Sequence, residues 1–64
     1  MNIIEGIQSE CSRCRELKKE YDLIPMGGFG ASFIQAAIDE GENSIASGDV
    51  VRMLSAYKEL ESCE

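Results

Sequence analysis

The chain of 64 residues contains no histidine and no tryptophan. It has one proline, two tyrosines, two phenylalanines and three cysteines. Lacking histidine, it loses the commonest general base, the usual nucleophilic triad and most catalytic zinc sites. No remaining nucleophile is paired with an obvious base, so we expect no enzyme and no cofactor. Three cysteines, Cys11, Cys14 and Cys63, are an odd number without framework spacing, which argues against a disulfide scaffold. No apolar run approaches the roughly 20 residues that a membrane span needs, and no secretory signal is legible. The expectation is a cytoplasmic protein without a membrane partner.

Basic residues are scarce as well. Lys and Arg number 6 against 12 Asp and Glu, a net charge of −6. The excess is uneven: residues 1–24 balance to −1, with four cations and five acids, and residues 25–64 to −5, with two cations and seven acids. Such a chain is repelled by duplex nucleic acid unless its cations are grouped. Its size permits one domain, 1–64, and a thin core that adds only about 3–5 kcal/mol net. A chain this short commonly needs a staple, and a second copy suits this one better than a metal.

What is present is helical periodicity, with no alternation long enough for a strand. Asn2 suits an N-cap, and Glu5 follows at capping-box spacing. Ile3, Ile4, Ile7, Cys11, Cys14, Leu17 and Tyr21 form one apolar stripe, predicting a helix over 3–22. Pro25 and the glycines after it stop that helix. A second helix begins between Gly28 and Ser32, since Ser32 and Gln35 also have capping-box spacing. Its expected buried face is Phe33, Ile34, Ala37, Ile38, Gly41 and Ile45. Gly48 suits a left-handed helix end and Asp49 the next N-cap. A third helix then runs to about Ser62, with Val50, Met53, Leu54, Tyr57 and Leu60 at apolar spacing. The fold expected is all-α: long helix, glycine-rich turn, helix, sharp corner, helix, assembled as a homo-oligomer.

The stretch PMGGFGASF carries the most specific chemistry. Glycines before a helix let an anion approach unpaired backbone N–H groups and the positive end of the helix dipole. Gly27, Gly28 and Gly30, with the Ser32 hydroxyl, could hold a phosphate. Arg15, Lys18 and Lys19 share a face of the preceding helix and could supply charge. Arg52 joins them only if the fold or a partner brings it round, and Phe29 or Tyr57 could stack on a base. The stretch lacks the third glycine of a dinucleotide fingerprint and the lysine of a Walker loop. The alternative is a plain helix reversal, with Phe29 plugging the core.

Two further patterns have plainer readings. Cys11 and Cys14 have C-x-x-C spacing on one helical face and read as core residues; paired across a dimer they would form a zinc site. Cys63, beside the terminus, is expected to be frayed and exposed. The acids Asp39, Glu40, Glu42, Glu59, Glu61 and Glu64 read as solvated faces, or as a phosphate-track mimic for a basic protein.

IPMGGFGASFI and IASGDVVRMLSAYKELE resemble the small helical proteins encoded in early regions of tailed phages and prophages. The resemblance covers roughly Cys11 onward and rests on the glycine-aromatic-glycine loop and the S-G-D-V-V corner. No site residues carry over from it. It implies a viral accessory protein in the host cytoplasm with a counter-defence role, such as a sponge for a nucleotide signal or a blocker of a host protein.

Overall fold

A computed structural model describes residues 2–25 and 28–63. Gly27, one of the expected anion-site glycines, and Glu64, one of the acids, lie outside them. The described residues form three helices and no strand: α1 (Ile3–Asp22), α2 (Gly28–Ser47) and α3 (Val50–Ser62). Each helix packs on both others.

The helix boundaries follow local chemistry. Asn2 caps α1 by accepting the Glu5 N–H at 2.8 Å. Asp49 caps α3 by accepting from the N–H groups of Val51 and Arg52. Gly48 between α2 and α3 has φ +72°, the left-handed conformation that favours glycine. Ser32 is not a cap: α2 has already begun at Gly28, and the Gln35 amide reaches forward to Asp39 at 2.9 Å.

Ile7, Cys11 and Cys14 of α1 meet Ile34, Ala37 and Ile38 of α2 and Met53 and Leu60 of α3 in one core. Four members of the expected apolar faces, Ile4, Phe33, Val50 and Leu54, are exposed and fall outside it. Phe33 is 76% exposed, and the buried stripe of α2 is Ala31, Ile34, Ala37, Ile38 and Gly41. Val50 and Leu54 are also exposed, and Ala56 fills the inward position between Met53 and Leu60. On α2 and α3 the small residues Ala31, Ala37, Gly41 and Ala56 occupy buried positions, and the close approach is tightest at Gly41.

The helices are unequal, and that shapes the site. α1 and α2 have 20 residues each and α3 has 13. At 1.5 Å per residue, α3 is about 10 Å shorter than its neighbours. Its C-terminal end is held at the level of Arg13, whose guanidinium donates to Leu60 O at 2.7 Å and Cys63 O at 2.9 Å. The last turns of α1 and the first of α2 therefore project past α3 as an overhang.

Candidate functional site: the overhanging end of the helical hairpin

Gly30 forms the base of the overhang. A Cβ there would lie 2.6 Å from the Tyr21 ring, so its absence lets the ring pack beneath the first turn of α2. Gly28 has open space where a Cβ would stand. Thus only one of these two glycines is required by packing, and the other leaves the start of α2 bare.

Around this end lie the most exposed large apolar side chains at the α1–α2 connection: Leu23 84%, Ile24 54%, Phe29 83% and Phe33 76%. Phe29 does not plug the core; it follows Gly28 directly on the helix and faces outward. Scaled by side-chain areas on the order of 150–250 Å² for aromatics, the four expose roughly 600 Å². That stands at the upper limit of what a typical monomer leaves exposed. The apolar group formed by Ile4, Val50, Val51 and Leu54 exposes only roughly 350 Å², well within that range.

Where α3 stops, a cleft of about 470 Å³ opens beside the overhang, lined by Tyr21, Gly30, Phe33, Ile34, Glu59 and Cys63 among others. A shallower concavity of about 440 Å³ lies at the start of α2, between Pro25, Gly28, Phe29 and Ser32.

The expected cations do not gather here. Arg15 pairs with Glu42, and Glu42 lies fourteen residues into α2, about 21 Å along the axis from Gly28. Arg52 is bidentate on Glu40, with Nε to Oε1 at 2.6 Å and Nη2 to Oε2 at 3.1 Å. That contact holds the Glu40 carboxyl below its ordinary range, chiefly through the hydrogen bond to Arg52. Tyr57 packs at the far end of the bundle, its ring 3.1 Å from where a Gly6 Cβ would be. Lys19 is near the overhang but pairs with Glu16 at 3.1 Å. Lys18 is half-buried, one turn beyond Cys14 on the inward stripe, and makes no ion pair among the described residues. So Gly28, Phe29, Gly30, Ser32, Lys18 and Lys19 share one end, while Arg15, Arg52 and Tyr57 do not.

The acidic track is reduced by the same contacts, because Glu40 and Glu42 are the partners of Arg52 and Arg15. Two of the four candidate cations, Arg15 and Arg52, are thus taken up by two of the acids.

Cys11 and Cys14 are buried, and their thiols reach across to Ile38 O at 4.0 Å and Leu60 O at 3.6 Å. Cys14 faces α3 and Cys11 faces α2, where it also lines a surface concavity with Gln8, Ser12, Arg15, Glu42 and Ile45. Among the described residues no group of three metal-ligating side chains is found. Burial is the main cause pushing the Cys14 thiol up, to about 11, with the Cys63 thiol raising it further and Arg13 opposing. Cys63 is not frayed: it is half-buried and packs against the core.

Sequence reasoning passed over Arg13, which ties α1 to the end of α3, because nothing in local spacing reveals a contact across 47 residues. No helix among the described residues is long and apolar enough to cross a membrane. No family model matches the chain, and no curated protein or solved structure matches it either.

Proposed function

We propose that the protein is a non-enzymatic binding module that works as a homo-oligomer, with the overhang as the contact between copies. The observation that carries this reading is the apolar end formed by Leu23, Ile24, Phe29 and Phe33 beside the cleft left by the short α3. A two-fold axis would let each overhang enter the step beside the other copy's α3, so that one surface serves both sides. Covering the four side chains on both copies removes roughly 1,200 Å², above the about 1,000 Å² that a specific interface needs. Polar groups of both signs, Lys18 and Lys19 against Asp22 and Glu59, rim this end and permit self-complementarity despite the negative net charge.

The test is sedimentation equilibrium of the wild type and of a Phe29→Asp/Phe33→Asp double variant. The wild type should show the mass of a dimer at micromolar concentration, and the variant that of a folded monomer. A wild-type monomer at several hundred micromolar would end this reading.

A second reading is favoured by one observation: Lys18, without an ion pair among the described residues, and bare Gly28 lie at the same end as the concavity lined by Phe29 and Ser32. Two copies meeting there would bring two such helix starts together, suited to a phosphate-bearing nucleotide. In the phage setting implied by the resemblance, that is a module that sequesters a signal. Calorimetric titration with a panel of cyclic and linear nucleotides tests it; Gly28→Val binding as tightly as wild type would remove the site.

A further inference from the structure

Two thiols, Cys14 on α1 and Cys63 at the end of α3, stand where the cleft closes against α3. Cys14 is fully buried; its Sγ lies 3.6 Å from Leu60 O and 3.8 Å from Arg13 Nη2. The same guanidinium holds the Cys63 carbonyl at 2.9 Å, which seats the final turn of α3 over Cys14. Cys63 packs against the core cluster that contains Cys14, and Leu60 O accepts from both the Cys14 thiol at 3.6 Å and the Cys63 N–H at 3.2 Å, while the Cys63 thiol donates to Glu59 O at 3.5 Å. Cys11 is directed elsewhere, toward Ile38 O on α2.

We propose that Cys14 and Cys63 are an oxidisable pair, a modification site at which a small-molecule disulfide such as oxidised glutathione closes an intramolecular bond between α1 and the end of α3. One guanidinium and one carbonyl thus hold both residues together, and side-chain rotation has to bring the sulfurs to the about 2.05 Å S–S distance. Half-buried Cys63, which lines the cleft of a single copy, is the entry point. Its thiolate attacks one glutathione sulfur, forms a mixed disulfide and expels one glutathione thiolate. The Cys14 thiolate then attacks the Cys63 sulfur and expels the second glutathione. Two protein thiols are oxidised by two electrons, one glutathione disulfide is reduced to two thiols, and the two protons pass to those leaving groups.

The bond closes a loop of roughly 50 residues, a length at which cross-linking strongly restricts the unfolded chain. It would lock the end of α3 at the edge of the cleft that Cys63 lines.

The reduced protein, incubated with oxidised glutathione and digested with trypsin without reduction, reads this out. Arg13 lies between Cys11 and Cys14, so cleavage separates the two. We expect an intact mass lower by about 2 Da, a peptide linking Cys14 to Cys63, and a rise in unfolding midpoint on the order of 10 °C. Dithiothreitol should reverse all three. Cys11→Ser should behave as wild type, and Cys63→Ser should show neither the mass change nor the rise. Glutathione persisting on Cys63, a bond to Cys11, a bond between chains, or unmodified thiols would each overturn the assignment.

Discussion

Adding a methyl group at Gly41 tests whether the three helices are packed as closely as their shared core implies. A Cβ there would stand 3.0 Å from Leu60 Cδ1, 3.2 Å from Cys11 Sγ and 3.2 Å from Ile7 Cγ2. Those neighbours belong to α1 and α3 and are themselves almost wholly buried, so none can swing into solvent. Gly41→Ala gains about 1 kcal/mol of helix propensity. Forcing a methyl into a filled core costs about 1–3 kcal/mol. The net expectation is a loss of up to about 2 kcal/mol, and a midpoint lower by roughly 4–8 °C for each kcal/mol. Gly28→Ala is the control, because a Cβ there meets nothing within 4 Å. It should be neutral or stabilising by up to about 1 kcal/mol. Urea unfolding followed by circular dichroism measures both. If Gly41→Ala matches or exceeds Gly28→Ala in stability, the three-helix contact at Gly41 is wrong.

Two further substitutions probe contacts made by charged groups. Arg13→Ala removes the donor to Leu60 O and Cys63 O and should cost about 1–2 kcal/mol, its half-exposed setting keeping it at the low end for charged hydrogen bonds. Hydrogen exchange should report the loss as faster opening of the last turn of α3, and unchanged rates there would refute the tie. Glu40 has its folded pKa lowered by Arg52, so the pair's contribution is present above the ordinary carboxylate value and is lost as pH falls through the lowered one. A carboxyl-resolved NMR titration should place the Glu40 midpoint below that of an unpaired glutamate and return it to the ordinary range in Arg52→Ala.

Much of the fold is legible in local pattern. Asn2, Gly48 and Asp49 act as caps and stops where their chemistry predicts, and the helix ends fall accordingly. Facing is harder to read. Ile4, Phe33, Val50 and Leu54 keep apolar spacing yet are exposed, while the small residues Ala37, Gly41 and Ala56 take buried positions along a narrower seam. Spacing alone also cannot choose among ion partners. Arg15 and Lys18 are neighbours on α1, but Arg15 meets Glu42 on α2, and only the tertiary arrangement decides that. The glycine loop shows the same division. That Gly30 accommodates the Tyr21 ring could not be read from the string of glycines, whereas the helix start itself could.

The most direct test of the central claim is native mass spectrometry of the wild-type protein over a range of concentrations. A discrete species at twice the chain mass, lost in Phe29→Asp/Phe33→Asp while that variant stays helical, is the predicted result, and a nucleotide-sized adduct on that species would add the second reading. A single-chain mass at every concentration, with the apolar end bare, would contradict assembly through the overhang.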